Sequence, residues 1–221
     1  MSTGAVSGPG GGIPPAMQFD DAAQQRAAAQ LGMWVFLATE VLFFGVLFAS
    51  YTLCRIRFPE AFALGSQHTD VVLGSIEAVI LLVSSATVTW AVALVDLDER
   101  RLITGLLVFT ALLGLSFLAL HGLEYWHEYQ EGLMPGIDWR QSGVHAGQME
   151  QFFFLYYAMT LYHSLHVLIG VGVIGTIAVL VQRRRIGPSR STPLVLAGLY
   201  WHLVDIVWIF LFPLIYLIDR T

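Results

Sequence analysis

Five long apolar runs, at about residues 31 to 53, 71 to 95, 102 to 124, 152 to 181 and 194 to 218, constrain this chain more than any other feature. Each is long enough to cross ~30 Å of hydrocarbon at the ~1.5 Å rise per residue of a helix. None alternates apolar and polar residues as membrane-barrel strands do, and an open strand would leave backbone groups unsatisfied in lipid. The runs predict an all-α, polytopic membrane helical bundle of five transmembrane helices. Composition agrees: 56% of the 221 residues are apolar, 12% are charged and the mean hydropathy is +0.68, whereas soluble domains carry ~25% charged residues. A net charge of −5 offers no basic patch for phosphate, so no nucleic-acid partner is expected.

Ahead of the first run, residues 1 to 30 are rich in Gly, Pro, Ala and Gln and read as a disordered or partly helical tail, leaving 31 to 221 as the five-helix domain. That tail holds one arginine and the pair Asp20, Asp21, unlike a secretory signal or an Arg-rich transit peptide. A multi-pass protein of the bacterial plasma (inner) membrane is expected. All basic residues are arginines. Arg26, Arg100, Arg101, Arg183, Arg184, Arg185 and Arg190 fall on one side of the predicted topology, and Arg55, Arg57, Arg140 and Arg220 on the other. The positive-inside rule then puts the N-terminus in the cytoplasm and the C-terminus outside. The longest connection, about 125 to 151, is acidic and aromatic; it reads as a solvated outer loop with interfacial Tyr and Trp, or as a surface that meets a partner. Pro213 is expected to bend the outer end of the last helix.

Function must come from ionisable residues inside the spans, which are costly there and face protein rather than lipid. Two layers emerge. The inner one holds Glu40 in the first span, His163 and His166 in the fourth, and His202 and Asp205 in the fifth, the last two pairs at i, i+3 and therefore each on one helix face. By depth, Glu40, His166, His202 and Asp205 are expected to form one polar cluster. The outer layer holds Glu77 in the second span and His121 and Glu124 in the third, on the face that also carries Gly114, Phe117 and Glu128. Such groups can satisfy one another and fix helix packing, relay protons, hold lipid headgroups or ligate a cofactor. His166 and His202 raise the alternative of a bis-histidine haem b electron carrier, and the layered Glu and His groups that of a proton transporter. The chain shows no HExxH or CxxC spacing, one cysteine (Cys54), no phosphate loop, no nucleophile elbow and no dinucleotide fingerprint. No catalytic, cofactor-binding or metal-binding residue is expected in it.

The motifs themselves resemble those of the subunit III family of haem–copper respiratory oxidases. YWHLVDIVWIFLFPLIYLI is similar to that family's last helix, with its pattern W-H-x-V-D-x-V-W-x-F-L, and FFFLYYAMTLYHSLHVLIG to its penultimate helix. WVFLATEVLFFGVLF resembles the helix with the family's buried glutamate, here Glu40; LLVSSATVTWAV and GLSFLALHGLEYWHEY resemble the two that follow, the latter carrying Glu124 and Tyr125. The likeness covers residues 31 to 218 in order and matches the five-helix form, with Leu161 and Ser164 where the family has glycines and Glu77 where many members have Asn. It implies a non-catalytic subunit of a bacterial terminal oxidase in aerobic respiratory electron transport. Haem and copper would lie in the partner catalytic subunit I. Contacts with that subunit, with other oxidase subunits and with membrane lipids are implied, as are bound phospholipid and support of proton uptake and stability. The ending W-I-F-L-F-P-L-I-Y-L also resembles accessory proteins of nitric oxide reductases, a branch of the same family, which stands as an alternative.

Overall fold

Residues 19, 21 to 97 and 99 to 218 are described by the computed structural model, so most of the predicted tail lies outside the described residues. The chain forms α1 (Ala22–Arg57), α2 (Pro59–Gln67), α3 (Val71–Ala93), α4 (Arg100–Gln130), a hairpin of β1 (Leu133–Met134) and β2 (Asp138–Trp139), α5 (Ala146–Gln182) and α6 (Thr192–Tyr216). Five of these helices are long and apolar enough to span a bilayer. Their starts are chemically marked. The Asp21 carboxylate accepts from the Gln24 amide, that of Asp70 accepts from the Val72 and Leu73 amides, and Pro59 opens α2 where its missing N–H is not needed.

Helices α3, α4, α5 and α6 close a four-helix ring in which each packs on its two neighbours, while α1 lies outside it against α5 and α6. The ring follows from the buried positions. On α4 these are Ile103, Leu107, Thr110, Gly114, Phe117, His121, Glu124 and Glu128, alternating steps of four and three without a break. This 3.5-residue period keeps one seam facing inward along the whole helix, as in knobs-into-holes bundles. Near mid-bundle the indole of Trp201 on α6 fills a notch left by two glycines: a Cβ at Gly114 would stand 2.7 Å from Trp201 Cη2, and one at Gly170 2.9 Å from its Cε3. Its Nε1 donates to Ser84 Oγ of α3 at 2.9 Å, so one side chain touches all three other ring helices.

Helix α1 is attached more thinly. Its buried apolar residues, among those described, are Leu37, Phe44 and Tyr51, one every seventh position, and Leu42 on its far side is 70% exposed. That face needs lipid or another protein. At one end of the bundle, α2 lies on α5 and α6 and the hairpin on α4 and α5; we term this the hairpin end. There Ser66 Oγ donates to the Ile215 carbonyl at 2.8 Å. The opposite, arginine end gathers Arg100, Arg101, Arg183, Arg184 and Arg185 at helix boundaries, and the connections around 95–97 and 188–190 touch there.

Several boundaries differ from those the apolar runs predict. Helix α1 begins at Ala22, inside the predicted tail, because nothing between Asp21 and the first apolar residues breaks a helix. The expected loop of 125 to 151 shrinks to 131 to 145: α4 continues as an acidic, aromatic helix to Gln130 and stops just before Gly132, whose φ of 69° ends it. Within the remaining connection the Arg140 guanidinium is exposed and held by the Asp138 carboxylate at 2.6 and 2.8 Å, which raises its already high pKa. Helix α2 has no counterpart among the apolar runs. Pro213 falls inside α6, within its last turn.

Candidate functional site

The hairpin end of the ring concentrates the chemistry-bearing side chains. Glu77 enters from the second turn of α3 and is wholly buried; His121 and Glu124 follow on the inward seam of α4, 2% and 3% exposed. His121 Nδ1 stands 3.5 Å from Glu77 Oε2 and 3.3 Å from Glu124 Oε2. One donor atom from each of the three residues lies within 4.8 Å of the other two. Tyr216 of α6 donates its hydroxyl to Glu124 Oε2 at 2.8 Å. The His121 ring is fixed by aromatic walls: Phe117 stacks on it at 5.7 Å, and Trp208 meets it edge-on at 5.6 Å. One turn further along the seam, Glu128 is also buried, beside Tyr156 and Tyr157.

A cavity of about 510 Å³ opens at this end of the bundle, lined by His68, Asp70, Glu124, His127, Glu128 and Glu131 among others. Glu124 belongs to both the cavity wall and the buried trio. The sequence places Glu77, His121 and Glu124 at one depth; the fold adds that they meet side by side. Tyr216 and the cavity mouth at His68, Asp70 and Glu131 are not among the residues singled out from sequence. Tyr216 lies inside the apolar stretch that closes the last span, where nothing in the sequence pairs its hydroxyl with a carboxylate on α4.

The expected inner cluster divides into separate contacts. Glu40 Oε2 and His166 Nε2 lie 3.0 Å apart between α1 and α5, 17% and 16% exposed. His166 Nδ1 bonds the Tyr162 carbonyl at 2.7 Å, and since a carbonyl only accepts, Nδ1 carries a proton. The bond to Glu40 is then either imidazolium to carboxylate or carboxylic acid to neutral Nε2; both tie α1 to the ring. His202 faces away, to Ser85 Oγ at 2.7 Å and Thr89 Oγ1 at 3.3 Å on α3. Asp205 is buried near Ser85. His163 is wholly buried and stacks on Trp208 at 5.1 Å. His166 and His202 thus contact different partners on different helices, an arrangement that ties helices together. Ser85 and Thr89 lie in a run of small hydroxyl residues, SSATVT, that is a visible signal for polar interhelical contacts.

Comparison with known proteins gives a consistent result. The family model described as cytochrome c oxidase subunit III matches residues 16–219. A protein named "Probable quinol oxidase subunit 3" from Staphylococcus haemolyticus (strain JCSC1435) is 29% identical over 192 residues, covering 87% of this chain and 90% of its own length. Its namesake from Staphylococcus aureus (strain USA300) is 28% identical over the same span.

Proposed function

The chain belongs to the cytochrome c oxidase subunit III family, and from that premise we propose that it is the non-catalytic third subunit of a bacterial haem–copper terminal oxidase in the plasma membrane. The observation that carries the reading is the division of its surface. The polar seams of α3 to α6 are turned inward on one another, while α1, with Trp34, Leu42, Val46 and Leu53 exposed, presents a long apolar face. The haems and copper belong to the catalytic subunit against which this chain packs. Its own residues hold shape: Trp201 locks the ring and the Glu40–His166 pair clamps α1, whose exposed apolar face is left to lipid or a neighbouring subunit. In this role it supports proton uptake and keeps the catalytic subunit active through repeated turnovers. The more basic arginine end lies in the cytoplasm and the hairpin end outside. The relatives' name makes a quinol the first electron donor to assay, with cytochrome c second.

The test is purification in mild detergent through a tag at the N-terminus, with subunit identification, an optical spectrum and oxygen consumption by the eluate. Co-elution with a haem-bearing subunit, and faster loss of oxidase activity during turnover once this chain is stripped off, are expected. Elution of the chain alone, or a stripped complex whose activity decays at the unchanged rate, would overturn the proposal.

A further inference from the structure

Three observations at the hairpin end remain unused by a purely structural role. The first is that most polar atoms of the buried trio lack an aligned hydrogen bond. Among the described residues, neither oxygen of Glu77 and neither ring nitrogen of His121 makes a hydrogen bond of good geometry, although all four atoms are buried and His121 Nδ1 lies within ion-pair distance of both carboxylates. A single imidazole N–H can serve only one of two carboxylates, and it is aligned on neither. Left without a further group, two carboxylates and one imidazole in the interior of a membrane bundle are an expensive arrangement.

The second is spacing. A tetrahedral zinc ion with bonds of ~2.0–2.1 Å holds its ligand atoms ~3.3–3.4 Å apart. His121 Nδ1 stands 3.3 Å from one carboxylate oxygen and 3.5 Å from the other, both on different residues. Two of the three edges among these atoms therefore match a coordination tetrahedron, and the third, between the two carboxylates, lies within 4.8 Å. The surroundings match as well. Tyr216 Oη donates to the Glu124 oxygen, as an outer partner that orients a ligating carboxylate. Phe117 and Trp208 hold the His121 ring plane.

The third is access. The cavity that reaches Glu124 is lined mostly by acids and histidines, so its mouth attracts cations. We infer that Glu77, His121 and Glu124 bind one divalent transition-metal ion of the zinc type, admitted through this cavity. One nitrogen and two oxygen donors suit Zn²⁺ and its first-row neighbours; the set lacks the thiolates that select Cu⁺ and the six to eight oxygens that Ca²⁺ takes. Cys54 lies on α1, away from this site. Three protein ligands leave a fourth position for water or for Glu128, the next acid along the same seam. The bound ion offsets the negative charge of the two carboxylates and links α3 to α4, and through Tyr216 to α6. The sequence groups the three residues by depth, but a ligand motif is not visible in it because Glu77 and the His121–Glu124 pair come from separate helices.

The experiment uses the whole oxidase complex, stripped with a chelator, desalted and equilibrated with Zn²⁺ alone. Metal content per complex is read by mass spectrometry, and the coordination sphere by zinc K-edge absorption. The wild-type complex is expected to retain one zinc equivalent more than complexes carrying Glu77→Gln or His121→Gln. Its edge spectrum is expected to fit nitrogen and oxygen neighbours near 2.0 Å without sulfur. Tyr216→Phe, which removes only the outer partner, is expected to weaken binding about 10- to 100-fold. Equal zinc content in wild type and both variants overturns the inference. So does a sulfur-containing shell in the wild type, a measurement that stands even if the variants fail to assemble.

Discussion

Replacing Gly114 with alanine adds one methyl group at the point where three helices meet, and the structure sets its magnitude. The new Cβ would lie 2.7 Å from Trp201 Cη2 on α6 and 2.7 Å from Val171 Cγ2 on α5. Ordinary carbon contacts need ~3.5–4.0 Å, so α4 must back away by about 1 Å from two neighbours at once. Overpacking of this kind costs about 1–3 kcal/mol. A glycine-to-alanine change also gains helix propensity, about 0.8–1.0 kcal/mol, and the two effects must be separated. Gly105 on the same helix provides the control, since a Cβ there meets nothing within 4 Å. Referenced to Gly105→Ala, propensity cancels, and Gly114→Ala should be less stable by about 1–3 kcal/mol. The assay is resistance of the detergent-purified complex to denaturation, with the ordered state read from the Trp fluorescence. Val171→Ala opens only one of the two contacts, so the double variant should recover part of the loss. If Gly114→Ala and Gly105→Ala are equally stable, the glycine notch does not seat Trp201 and the packing argument fails.

Other perturbations probe the joints around this centre. Glu40→Leu removes the bond to His166 and should loosen α1, by about 0.6–1.7 kcal/mol for a hydrogen bond within a membrane bundle, whereas Glu40→Gln still bonds Nε2 and should lose little; disulfide trapping of paired cysteines on α1 and α5 reads the difference, and equal behaviour of the two variants would refute the clamp. Ser66→Ala deletes the donor to the Ile215 carbonyl, so hydrogen exchange should rise in α2 while α4 stays protected; unchanged exchange in α2 would show that this bond does not dock it. Tyr125 Oη and Thr160 Oγ1 lie 2.6 Å apart, and the cycle of Tyr125→Phe, Thr160→Val and the double variant should reveal coupling of about 0.6 kcal/mol, with strict additivity counting against the bond. Arg140→Gln should leave stability nearly unchanged, because its side chain is exposed and its partner Asp138 is only two residues away; a measurable loss would assign that connection a larger role.

How much of this architecture can be read from the residues depends on whether the information runs along a helix or across to another. The five spans and the inward seam of α4 are properties of single segments, and Gly114, Phe117, His121, Glu124 and Glu128 are legible there as one face. Helix ends are less so. Apolar runs mark where lipid ends, not where hydrogen bonding stops, so the polar turns of α4 through Tyr129 and Gln130 look like loop until the Gly132 break is weighed. Helix α2, nine residues long, is too short for its period to show. Depth in the membrane predicts that Glu77 and His121 are neighbours, and the fold brings them together. The same reasoning groups His202 with His166, yet rotation about the α6 axis turns His202 to Ser85 on α3. Depth follows from counting residues; azimuth follows from which helix packs where.

The thin attachment of α1 has a consequence for how the protein is made. Glu40 and His166 are 126 positions apart, so at ~5–20 residues per second α1 waits roughly 6–25 s before its partner exists. Throughout that interval Glu40 lacks its partner and α1 lacks the two helices, α5 and α6, on which it finally packs. The apolar character of α1 keeps it in the bilayer meanwhile, and its late capture by α5 and α6 is the step at which assembly competes with lipid for the same face.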